Sequence, residues 1–181
     1  MTPLLTVSNV SRDFIKSLDL VAKFLNLLGQ NHREEIVHAV DDVSLKVFKG
    51  EVVGIVGESG CGKSTLGKMV AGILTPSEGQ VRFESADKSH NRPPDDLKTQ
   101  MIFQDPFSSL NPRKKVIEIV TEAPIHHGLI KASEKREFAL EMLNRVGLDA
   151  EALGRYPHQF SGGQRQRIGI ARALAVSPEL L

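Results

Sequence analysis

The stretch Gly57-Glu58-Ser59-Gly60-Cys61-Gly62-Lys63-Ser64-Thr65 constrains this chain more than any other. It fits the pattern G-x-x-x-x-G-K-[ST]. The run Val52-Val53-Gly54-Ile55-Val56 before it is continuously apolar, which predicts a strand buried on both faces of a parallel sheet. A helix is predicted after it, from about Ser64 to Leu74. Strand, glycine loop and helix in that order form the context in which the pattern cradles phosphate. Glycines let successive backbone N–H groups face phosphate oxygens, and the helix N-terminus adds its partial positive charge. Lys63 can bring a full charge to the β- and γ-phosphates, and Ser64 a hydroxyl ligand for Mg²⁺. The blander alternative, a glycine turn that only caps a helix, does not need a strand before it. Residues Gly57 to Thr65 are therefore candidates for binding ATP with Mg²⁺.

The rest of the chain supplies a frame for that loop. Strands are predicted at Leu4 to Val10, around Val43, Leu45 and Val47, at Val81 to Phe83, and at Met101-Ile102-Phe103. Lys49-Gly50-Glu51 is a turn, and Thr75-Pro76-Ser77-Glu78-Gly79 is expected to stop the helix. The segment Ile15 to Glu35 reads as a short amphipathic helix or an insertion, and Ser85 to Asp96 as a surface loop. From 114 to 175 the signals are helical, with Ser133 as an N-cap and Gly147 as a C-terminal stop. At 181 residues and a formal net charge of +1, the chain is one domain in size and has no broad electrostatic footprint for nucleic acid or acidic lipid. Its single cysteine, Cys61, cannot close an internal disulfide, which points to a reducing compartment, and its place in the loop predicts reactivity to alkylation. Leu18 to Leu28 is too short and too polar to span a bilayer, so the chain is expected to be soluble.

Two weaker motifs gain meaning from the first. Ser161-Gly162-Gly163-Gln164-Arg165 precedes a helical run from Gln166 to Ala175 and offers a second helix start with free donors. Alone it would be a helix cap. About a hundred residues after the glycine loop, it resembles the signature sequence of the ABC ATPase family. Gln104, after the Met101–Phe103 run, resembles that family's Q-loop glutamine. The runs GESGCGKST, QDPFSSLNPR and YPHQFSGGQRQR together resemble the ATPases of oligopeptide and dipeptide permeases.

The resemblance covers about Leu4 to Leu181 and implies an α/β fold: a P-loop NTPase core with a helical subdomain. It implies a nucleotide-binding core over 1–103, a helical subdomain over 104–175, and over 176–181 the start of the strand that carries the Walker B motif. That strand's Asp, the catalytic Glu and the switch histidine do not follow here, so the fold is expected to be incomplete at the C-terminus and the chain inactive in hydrolysis by itself. The implied function is the energy-coupling subunit of a peptide importer. The implied roles are Gln104 as the catalytic sensor of Mg²⁺ and attacking water, Ser64 and Gln104 at the metal, and Ser161, Gly162, Gly163 and Gln164 closing over the nucleotide of another subunit. Phe14 matches the position of an adenine-stacking aromatic; a core phenylalanine is the competing reading. Implied partners are a second ATPase, identical or paralogous, transmembrane permease subunits and, indirectly, an extracytoplasmic peptide-binding protein, but no nucleic acid. The expected location is cytoplasmic, peripheral on the inner face of the membrane. The alternatives are a non-catalytic nucleotide-binding fragment and a soluble ABC ATPase acting on DNA or ribosomes, which would usually carry coiled-coil insertions or tandem cassettes. His126-His127 read as surface histidines, because adjacent histidines rarely converge on one metal. Arg165 and Arg167 are expected to face phosphate or solvent.

Overall fold

The computed structural model describes residues 2–16, 35–84, 99–105 and 109–181, with backbone alone at Lys16 and Glu35. The predicted loop after Phe83 and most of the Ile15–Glu35 segment lie outside the described residues. The chain is α/β and divides into two compact units, Met1–Lys88 and Ser89–Leu181.

The first unit is built on a three-stranded antiparallel sheet in the order β2-β1-β3, with β1 at Leu5–Lys16, β2 at Glu35–Val47 and β3 at Glu78–Phe83. β1 extends six residues beyond the predicted end at Val10, because its second half keeps pairing with β2 down to Lys16 opposite Glu35. A bulge interrupts the ladder after Val7, where Asn9 and Asp42 both take φ near +47° and Asn9 Nδ2 donates to Asp42 Oδ1 at 2.7 Å. Leu5, Val7, Val10, Val40 and Val47 are buried along this sheet. Helix α1, Lys63–Val70, buries Leu66 and Met69. It ends sooner than expected: Gly72, at φ +72°, donates to the Met69 carbonyl, and Ile73 donates to that of Lys68. That left-handed glycine closes the helix before the proline turn is reached.

The expected strand at 52–56 does not form. Val52 and Val56 are each 97% exposed, and no described strand pairs with this run. A continuous apolar run becomes a buried strand only where neighbours complete its ladder. The described sheet of this unit is antiparallel, and the run joins neither of its edges.

The second unit is helical. Its core gathers Val116, Ile119 and Val120 of α2 (Val116–His126), Ala139, Met142 and Leu143 of α3 (Lys135–Arg145), and Ile168 and Ala171 of α4 (Gly162–Leu174), with Leu110, Leu153 and Phe160. Gly147 is the predicted stop of α3: at φ +69° it donates to the Asn144 carbonyl while Leu148 donates to that of Leu143. Ser133 is not an N-cap. It lies inside a short 3₁₀ turn, Ala132–Glu134, whose entry at Lys131 is closed by the Glu134 carboxylate. Residues 101–103 form no strand; instead Thr99 makes an isolated parallel bridge with Leu180. No helix among the described residues is long and apolar enough to cross a membrane.

Candidate functional site

In the first unit the glycine loop leads straight into α1, as its sequence predicts, and residues 51–61 are exposed throughout. The loop's own conformation demands two of its glycines, Gly60 at φ +86° and Gly62. A Cβ on Gly62, which sits at φ +91°, would come within 2.1 Å of the Ala39 carbonyl oxygen on β2. A Cβ on Gly57 would come within 2.6 Å of Cys61 Sγ. No side chain caps the N-terminus of α1. Lys63 Nζ folds back into the loop and donates to the carbonyls of Gly57 at 2.7 Å and Glu58 at 2.6 Å, with Cys61 Sγ at 3.5 Å. The ammonium thus lies inside the ring of the loop, against an uncapped helix start. This arrangement suits a phosphate: a cation beside an uncapped helix start. Ser64 is exposed on the first turn of α1, beside Lys63, where its hydroxyl is open to a cation. A cavity of about 460 Å³ lies on the β2 side, lined by aliphatic groups of Val43, Leu45, Ile55, Val56 and Leu66. Cys61, Gly62 and Lys63 of the loop line it as well, with His38 and Asp41, so the cavity opens onto the candidate phosphate site.

Phe14 is not a core residue. It stands on β1 opposite Val37, is 42% exposed, and has the Arg12 guanidinium 4.9 Å above its ring centroid. The strand continues two residues past it, to Lys16.

In the second unit Ser161 is the N-cap of α4 in a capping box. Its Oγ accepts from the Gln164 amide at 3.3 Å, and the Gln164 side chain accepts from the Ser161 amide at 3.0 Å. Ser161, Gly162 and Gly163 are exposed, and a Cβ on either glycine would meet nothing within 4 Å. Neither glycine has positive φ. Gln104 is exposed on the 99–105 segment of the same unit. His126 and His127 meet edge to face at 5.1 Å, and no group of three or more potential metal ligands occurs among the described residues.

The arginines around the second motif bind backbone carbonyls; Arg167 stays exposed to solvent, as expected, while Arg165 is partly buried. Arg165 turns back, its Nε donating to the Pro157 carbonyl at 2.8 Å and Nη2 to that of His158 at 3.4 Å. Arg167 Nη1 donates to the Gly147 carbonyl at 3.1 Å, where α3 ends. Arg155 lies 4.4 Å over the Phe160 ring and donates to the Gln159 carbonyl. Every peptide unit offers such a carbonyl acceptor, so no sequence pattern could have announced these partners.

A family model described as ABC transporter matches residues 40–181. The oligopeptide transport ATP-binding protein AppF of Bacillus subtilis (strain 168) is 52% identical over 151 residues, covering 80% of this chain and 46% of that protein. The dipeptide transport ATP-binding protein DppF of Escherichia coli (strain K12) is 39% identical over 178 residues, covering 96% of this chain and 53% of that protein. Among solved structures, a dimeric ATP-binding cassette in a post-hydrolysis state bound to ADP and Pi superposes with a TM-score of 0.73 at 30% identity, covering 96% of this chain and 70% of that one. The chain spans about half the length of the curated relatives it matches.

Proposed function

Because this chain belongs to the ABC transporter family, we propose that it is the ATP-binding, energy-coupling subunit of a peptide importer of the oligopeptide or dipeptide type. One observation carries the reading: Gly162 and Gly163 serve no internal need. Each costs helix stability of up to about 1 kcal/mol relative to alanine. Neither the backbone conformation nor a close neighbour within the chain requires them. Close approach by something outside the chain does account for them. That partner is the nucleotide held by the Gly57–Thr65 loop of a second ATPase subunit, as in a head-to-tail dimer. The relatives named for oligopeptide and dipeptide transport, and the dimeric cassette with ADP and Pi, support this reading.

In this reading the loop amides and Lys63 hold the phosphates, and Phe14 offers its open face to the base. Stacking of that kind contributes about 1–3 kcal/mol with little discrimination among bases. Ser64 would hold Mg²⁺, which neutralises charge on the phosphates when bound. Permease subunits embedded in the membrane would be the further partners, which places the subunit on the cytoplasmic face. Ser161→Arg tests the assignment. Affinity for a fluorescent ATP analogue should stay within about twofold of wild type, because the signature turn acts on another subunit's nucleotide. ATP-dependent self-association, or association with the paired ATPase, should be lost. Collapse of the monomer's affinity with association preserved would reverse the assignment.

A further inference from the structure

Helix α4 carries three arginines, and each ends on a backbone carbonyl: Arg165 on Pro157 and His158, Arg167 on Gly147, and Arg172 on Ser109. The first two brace the approach to α4 and the end of α3. Arg172 instead reaches Ser109, which shares a cleft with Ile102 and Phe103, the residues just before Gln104. Desolvation by burial lowers its pKa from the ordinary arginine value, though guanidinium stays charged. No carboxylate among the described residues pairs with it. A half-buried charge given only a carbonyl is poor as a stabilising device, since an apolar replacement would avoid the desolvation. Its contribution lies in what it holds in place.

Gln166, Gly169 and Arg172 recur every third residue along α4. With Ile102, Phe103 and Ser109 they line a cleft of about 10 Å³. That is room for about one water molecule, so the surface is a joint between two segments and not a ligand site. Ile102 and Phe103 immediately precede Gln104, and α4 begins at the Ser161 cap. From Arg172 back to Ser161 the helix spans about 16 Å, at about 1.5 Å per residue.

We propose that Arg172 is a positioning residue that joins the Gln104 segment and the Ser161–Gly163 turn into one mechanical unit. Its clamp on the Ser109 carbonyl holds the segment against α4, and the helix carries that constraint to its own N-terminus. Displacement of either end then displaces the other. The functional weight of this coupling rests on the preceding reading, in which the Ser161–Gly163 turn meets nucleotide. Its physical content does not, and it can be measured without nucleotide.

The experiment is amide hydrogen exchange on the 181-residue protein and its Arg172→Ala, Arg172→Lys and Arg167→Ala variants. In Arg172→Ala, exchange at 102–104, at 109–114 and at 161–165 should rise together, each by at least about tenfold, while the core amide of Leu143 stays within about twofold. Arg167→Ala should speed exchange near Gly147 and leave 109–114 unchanged. A rise at 109–114 that is missing at 102–104 or at 161–165 would make Arg172 a local anchor and overturn the proposal. So would an equal rise at Leu143, which would report general destabilisation. If Arg172→Ala does not fold, Arg172→Lys decides: its smaller changes must appear at all three stretches or the coupling is refuted. Loss of ATP binding in wild type alongside coupled exchange would remove the nucleotide reading and leave the coupling standing.

Discussion

The two glycine-bearing turns of this protein both precede a helix and both lie exposed, yet they are held in opposite ways. In the first, Gly60 and Gly62 are required by the chain itself, at φ +86° and +91°, and a Cβ on Gly62 would come within 2.1 Å of the Ala39 carbonyl oxygen. The run before it, residues 52–56, is left unpaired. In the second, the surroundings are firmly built: the Ser161 capping box, the Arg165 bonds to Pro157 and His158, and a helical core beneath. Its glycines, however, meet nothing. One turn explains its glycines from within; in the other the chain supplies no such cause, which is why the proposed reading looks for it in a partner.

Substitutions can break or sharpen that contrast. The largest effect is expected from Gly62→Ala, which combines a φ of +91° with a backbone collision. A loss on the order of 3 kcal/mol should appear in urea unfolding of the first unit, since each such strain costs about 1–3 kcal/mol. A near-neutral result would mean that β2 and the loop separate freely.

Lys63→Ala acts on ligand and not on fold. Losing a charge-assisted hydrogen bond costs about 1.5–3 kcal/mol, or roughly 10- to 150-fold in affinity. Titration with a fluorescent ATP analogue measures it, and equal affinities would make the loop purely structural.

Gly163→Ala should move the other way, raising the stability of the second unit by about 0.5–1 kcal/mol because alanine is the better helix residue. The same variant should weaken ATP-dependent association. Destabilisation would reveal an internal cause for this glycine and erase the contrast.

The smallest effect belongs to Val52→Thr. At 97% exposure the side chain has almost nothing to lose, so the unfolding midpoint should shift by less than about 0.5 kcal/mol. A loss above about 1 kcal/mol would show that 52–56 packs in solution as its apolar pattern predicts.

Much of this architecture was legible in the residues. The glycine loop running into α1, the turn at Gly50, the β3 segment around Val81, the stop at Gly147 and the helical second half all follow from local chemistry. The misreadings came where a partner segment decides the outcome. Apolar runs at 52–56 and 101–103 signal burial, but a strand exists only when another strand supplies its hydrogen bonds. Gly72 ends α1 ahead of the proline turn, because a left-handed glycine already satisfies the last carbonyls.

By itself, then, the sequence determined the phosphate loop, its lysine and serine, and the family to which the chain belongs, because these depend on residue types at short fixed spacing. Only the tertiary structure decided that Phe14 stands exposed under Arg12, that Lys63 closes on its own loop carbonyls, and which backbone carbonyls Arg165, Arg167 and Arg172 bind. The physical reason is the acceptor. A carbonyl is present in every peptide unit, so which one a guanidinium meets is set by how the chain packs and by no residue code.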